Sequence, residues 1–148
     1  MILSDLLTAS REAILEAAST GVSRAHLLHY EEDGGIRERL AELYDVTVAC
    51  VGDRRVQRML DHIQEVAEHR FEAGFDLGEI QVAFNVLEEA IWREIERQVP
   101  PQELGECLGL VTTVLGVGKD RLARAYVVLA ARTHAPAIDL DALARGAD

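Results

Sequence analysis

Aromatic side chains are scarce in this chain: three Phe, three Tyr and one Trp make up 5% of its 148 residues. Leu, Ile, Val and Ala therefore have to supply most of any core, and little aromatic surface is left to line a haem pocket. Cysteine is nearly absent as well. Cys50 and Cys107 lie far apart with no Cys-x-x-Cys pair, which removes zinc knuckles and thioredoxin-type redox chemistry. Both thiols have apolar neighbours and are expected to be buried and reduced. Long apolar runs are missing too. The richest stretch, Leu104 to Leu115, is broken by Gly105, Glu106, Gly109 and two Thr, short of the ~20 apolar residues of a membrane span. Asp5, Arg11 and Glu12 interrupt the N-terminal region, so it does not read as a signal peptide, and the expected location is the cytoplasm. No strand-like alternation, internal repeat or low-complexity tract occurs.

Basic residues are in the minority, 15 against 26 acidic ones, for a net charge of −11. That sign opposes both a phosphate backbone and an anionic membrane surface, so neither nucleic acid nor membrane is expected as a partner. It leaves protein partners open, basic ones included. The length suits one domain, large enough to hold a core without disulfides or metal.

What the chain does have is helical periodicity. Leu3, Leu6, Leu7, Ile14 and Ala17 share one side of a first segment, with Ser4 as its N-cap and Gly21 as its stop. Residues 23–30 suggest a short helix, and Glu31 to Gly35 a loop. A helix over 36–51 would turn Ile36, Leu40, Leu43 and Val46 inward. Gly52-Asp53 should break it, with Asp53 capping a third helix that runs to about Ala73 on Val56, Leu60, Ile63, Ala67 and Phe71.

Punctuation is clearest from Gly74 to Glu79. Gly74 suits a helix C-terminus, and Asp76 with Glu79 resembles a capping box. The fourth helix, to about Val99, carries one stripe of Leu77, Ile80, Phe84, Leu87, Ile91 and Ile95, and a second of Val82, Val86 and Ala90. An apolar face that wide points to a central helix or one that also meets another subunit. Pro100-Pro101 ends it, and Pro101 fits the first position of a fifth helix. That helix reaches about Arg132, with Gly116 and Gly118 able to kink or divide it and Gly105, Gly109 and Gly116 placed for close helix contact. Leu122, Tyr126 and Leu129 continue its apolar stripe. The expected fold is an all-α bundle of about five to six helices, a domain over 1–133 and a tail over 134–148.

Chemistry-bearing groups do not converge. His62, Glu65, Glu68 and His69 share parts of one helix, but a di-iron bundle needs Glu-x-x-His on two helices, and Met59 and Val66 stand where those Glu would be. A solvated helix face is the simpler reading. His62 or His69 alone offers only a single axial ligand for haem. His26 and His29 have a surface or structural reading, and His134 an exposed one in the tail. Gly116-Val117-Gly118-Lys119-Asp120 lacks the spacing and preceding strand of a phosphate loop. Glu88, Glu89, Glu94 and Glu96 interleave with Arg93 and Arg97, as salt-bridged solvent faces do. No catalytic, cofactor-binding or metal residues are therefore assigned, and no enzyme activity is expected. Trp92 is expected at a helix crossing or an interface.

The stretch Arg70-Phe71-Glu72-Ala73-Gly74-Phe75-Asp76-Leu77-Gly78-Glu79-Ile80-Gln81, followed by Ala83-Phe84-Asn85-Val86-Leu87-Glu88-Glu89-Ala90-Ile91-Trp92, resembles the N-terminal domain of RsbT co-antagonist proteins of the RsbR/RsbRD type. Ser10 to Leu15 and Leu110 to Asp120 are similar to it too, so the likeness spans about residues 5 to 131. It implies a globin-like fold without haem, homodimers, and a sensory role in bacterial stress signalling, where such domains precede a STAS or kinase-type output domain. It carries no catalytic residues. Together these readings predict a non-enzymatic sensor. Its interaction face would involve Val82, Val86 and Trp92 on the fourth helix and Leu122, Tyr126 and Leu129 on the last. The alternative is a globin-like protein that binds haem or another small ligand.

Overall fold

The computed structural model describes residues 2–25 and 35–134. Within them the chain forms six helices and no strand: α1 Leu3–Ala9, α2 Arg11–Ala25, α3 Ile36–Asp53, α4 Gln57–Glu72, α5 Leu77–Gln98 and α6 Pro101–His134. The all-α expectation holds. His26, His29, Tyr30, residues 31–34 of the expected loop and the tail beyond His134 lie outside the described residues.

The first segment is two helices, not one. Ser10 closes α1, its N–H bonded to Leu6 O, while its carbonyl accepts the N–H of Ile14 in α2. The Ser10 hydroxyl is drawn sideways to α5: it accepts from Gln98 Nε2 at 3.0 Å and donates toward Glu94 Oε1 at 3.5 Å. A short polar side chain with such a partner competes with the regular helix ladder. Ser4 does not cap α1, since Ile2 holds that place without a side-chain hydrogen bond. Gly21 does not stop α2 either. It lies inside the helix, where an added Cβ would come within 3.0 Å of Val86 Cγ1. Ala18, not Ala17, faces the core.

Asp53 is the last residue of α3 and caps nothing. Arg54 adopts a left-handed backbone (φ 55°), and Val56 takes the N-cap of α4. The buried face of α4 is Met59, Ile63 and Ala67, with Val56, Leu60 and Phe71 only half-buried. The α4–α5 corner follows the reading from sequence. Gly74 has φ 88°, Phe75 N–H reaches Arg70 O at 2.9 Å, and Asp76 and Glu79 close a reciprocal capping box. Such a box satisfies two helix-end N–H groups at once.

Pro101 opens α6, and Gly116 and Gly118 do not divide it. At 1.5 Å per residue its 34 residues span about 51 Å. The principal packings are α4 on α6, α2 on α5 and α5 on α6, with α3 touching every other helix. The core is aliphatic: Leu7, Ile14, Leu15, Leu40, Leu87, Ile91, Ile95 and Leu115 are all but sealed, joined by Tyr44 and Phe84. The few polar atoms that enter it are mostly satisfied locally, as when Thr47 Oγ1 donates to Leu43 O at 2.7 Å.

Candidate interaction surface

The sequence-predicted interaction residues split into two groups. Leu122 is completely buried. Tyr126 is nearly so, its ring edge-on to Phe71 with centroids 5.4 Å apart and its hydroxyl donating to Phe75 O at 2.9 Å. Tyr126 thereby ties α6 to the α4–α5 corner of its own chain. Val82, Val86 and Leu129 are half-buried, with Val86 filling the space over Gly21. Trp92 reaches the surface at 37% exposure.

The glycines of α6 differ in their surroundings. A Cβ at Gly105, Gly109 or Gly116 would meet nothing within 4 Å among the described residues. At Gly118 a Cβ would lie 2.9 Å from both Met59 Sδ and Phe84 Cε1. The difference is one of helix face. Gly118 lies with the buried Val111, Val114, Leu115, Leu122 and Ala125. Gly105, Gly109, Thr112 and Gly116 recur every three or four residues on the opposite side, and Ala123, Val127 and Ala130 prolong that row. Val127 on this row is 69% exposed. Small and apolar, the outer face of α6 is one that sequence reasoning missed. Its signal was the spacing of the glycines, which marks a face suited to close helix contact, while nothing local tells an inner face from an outer one.

Of the histidine candidates, His62 and His69 lie along the α3-facing side of α4. His62, Glu65 and His69 of α4 border an open groove with Glu42 and Asp45 of α3 and Arg70. No group of three or more His, Cys, Asp or Glu able to hold a metal occurs among the described residues. His62 also edges an apolar crevice between α3, α4 and α5, whose volume is about 40 Å³. Ligand pockets are roughly 300–1,000 Å³. The crevice has room for a water or two, and a porphyrin would need helices α3 to α5 to part.

The remaining candidates have structural partners. Lys119 of the loop-like Gly-rich stretch is in mid-helix and pairs with Glu88 of α5 at 3.1 Å. Glu89 pairs with Arg93 at 2.6 Å and Glu94 with Arg97 at 2.5 Å, both along α5. Cys50 is buried and Cys107 half-buried; neither forms a disulfide, and burial pushes both thiols up from their ordinary range. No helix of the described residues is long and apolar enough to cross a membrane.

The geometry offers exposed apolar surface, with Ile2, Trp92, Val127 and Val128 all reaching solvent, on a bundle where several charged groups pair with one another along the helices. Comparison with curated proteins and with solved structures returned no match. A family model does match, over residues 5–139, the RsbT co-antagonist protein rsbRD N-terminal domain. The chain belongs to that family of stress-signalling domains.

Proposed function

We propose that the domain is a non-enzymatic sensory and regulatory module with a globin-like helix arrangement and no haem, and that it works as a cytoplasmic homodimer. The outer row of α6 is the proposed contact, and the exposed Trp92 of α5 is proposed to join it. Leu122 and Tyr126 act behind it, coupling α6 to the α4–α5 corner. A signal would alter the packing of α5 and α6 as a small shift of packed helices. That shift would pass to a signalling partner or to an output domain of STAS or kinase type.

One observation carries this reading. Gly105, Gly109 and Gly116 each cost helix stability, roughly 1 kcal/mol against Ala, and among the described residues none of them has a neighbour that a side chain there would meet. Small residues spaced this way allow two helix backbones to approach closely. Pairing α6 antiparallel with its copy about Gly116 sets Val127 of each chain against Gly105 of the other.

Sedimentation velocity at micromolar concentration tests it. The expected result is a dimer for the natural chain and a monomer for the Gly116→Arg and Val127→Asp variants, with unchanged helical circular dichroism. A strict monomer for the natural chain would overturn the proposal. A Soret band in freshly purified protein, lost in His62→Ala or His69→Ala, would replace it with the haem-binding alternative.

A further inference from the structure

A second face of α6 differs in chemistry from the glycine row. Between α4 and the C-terminal half of α6 runs a groove of about 290 Å³ whose lining includes Gln64, Arg121, Arg124, Val128, Leu129 and Arg132. From Lys119 to the end of α6 the sole acidic residue is Asp120, in a chain of net charge −11. Asp120 is occupied by Arg124 at 2.8 Å. Arg121 and Arg132 enter no ion pair among the described residues, although nearly every other part of the surface offers carboxylates. Between them Val128 is left 47% exposed. Arg121, Ala125, Val128 and Arg132 recur at helical spacing, so the two guanidinium groups flank the valine on one strip, about 16 Å apart along the axis. Val127 points about 100° away from Val128, onto the glycine row, so the strip is distinct from the proposed dimer contact.

We propose that this strip docks an acidic amphipathic helix of a partner protein. Two carboxylates about eleven residues apart on that helix would meet Arg121 and Arg132, and an apolar side chain between them would cover Val128 and Leu129. Charge complementarity selects this occupant. Arg–carboxylate pairs are strong and directional. The surrounding negative field repels polyanions such as nucleic acid and anionic lipid at long range, whereas a short helix brings its carboxylates inside the ~8 Å over which charges act at physiological salt. The apolar centre between charged ends is the arrangement of a helix-in-groove interface.

The probe is a fluorescein-labelled, 20-residue helical peptide with Leu along one stripe and Glu at two positions eleven residues apart; a second peptide carries Lys in place of Glu. Anisotropy titrations of the full chain are expected to show binding of the Glu peptide, weakened by salt, and none of the Lys peptide. The Arg121→Glu/Arg132→Glu variant should lose affinity for the Glu peptide by at least about tenfold and gain it for the Lys peptide. Arg121→Gln/Arg132→Gln serves in its place if the reversed variant is not helical by circular dichroism, with the same loss expected. Failure of the Glu peptide to bind, or equal binding by the variants, overturns the proposal. So does tighter binding of single-stranded DNA or of phosphatidylglycerol vesicles through the same arginines. If the arginine variants instead abolish self-association in sedimentation, the strip belongs to the dimer and the partner reading fails, while the dimer reading stands.

Discussion

Gly118 of α6 lies so close to Phe84 of α5 that a methyl group at position 118 would sit 2.9 Å from the ring. The same methyl would be 2.9 Å from Met59 Sδ of α4, so three helices meet at a residue with no side chain. Close packing of this kind tolerates no added volume. Gly118→Val should destabilise the chain by about 2–3 kcal/mol through overpacking. At Gly116, only two residues away, space is open, and Gly116→Ala should stabilise the monomer by about 0.5–1 kcal/mol through helix propensity alone. Urea unfolding at a concentration that keeps the chain monomeric measures both. Changes of the same sign at the two positions would contradict the assignment of inner and outer faces.

Two tyrosines act as buried staples. Tyr44, fully buried, donates to Leu7 O at 2.5 Å, and Tyr126 donates to Phe75 O at 2.9 Å. Tyr44→Phe and Tyr126→Phe should each cost about 1–2 kcal/mol, since each leaves a carbonyl without its donor. Burial, and then the charge of Asp45, pushes the Tyr44 phenol well above its ordinary value of 10.0. A raised folded pKa means that the contribution of Tyr44 is complete below pH 10 and declines above it, where the unfolded chain releases the proton and the folded chain does not. Stability measured from pH 9 upward should therefore fall more steeply in the natural chain than in Tyr44→Phe. Parallel slopes would show that Tyr44 ionises freely.

Glu94 gives the opposite pH signature. Burial acts to raise its pKa, but hydrogen bonds from Arg97 and Gln98, the charge of Arg97 and the contact with Ser10 outweigh this and hold the carboxyl below its ordinary value of 4.5. A depressed folded pKa contributes stability above 4.5 that is lost as the pH falls through the folded value. Thermal melts between pH 6 and pH 3 should show this loss, and Glu94→Gln should flatten it. A Glu94→Gln profile that matched the natural chain would assign the acid loss elsewhere. Because Glu94 and Gln98 hold Ser10, the same variant should loosen the α1–α2 break, read as faster amide exchange around Ser10.

Some of the candidate surface was legible before the structure, and some was not. Trp92 is expected at a crossing or an interface, and it is 37% exposed. Leu122 and Tyr126 carry the same apolar periodicity as any outward stripe would, yet both are buried, and Tyr126 is spent on the α4–α5 corner. The arginine strip was invisible, because Arg121 and Arg132 are separated in sequence by ordinary helix and only the neighbouring α4 turns that side of α6 into a groove.

The amino-acid sequence by itself settled the helical class, the Gly74 turn, the Asp76–Glu79 capping box and the Pro101 start. Each of these depends on backbone conformation and hydrogen bonds among residues within one or two turns of each other. Tertiary structure alone decided which glycines are pressed between helices and which face outward, where the first helix breaks, and that Asp53 ends a helix without capping the next. Those outcomes depend on what approaches from elsewhere in the chain: Phe84 and Met59 at Gly118, Val86 at Gly21, Gln98 at Ser10. A helical period places residues on a common face, and only the neighbours that fold against it determine whether that face is core or surface.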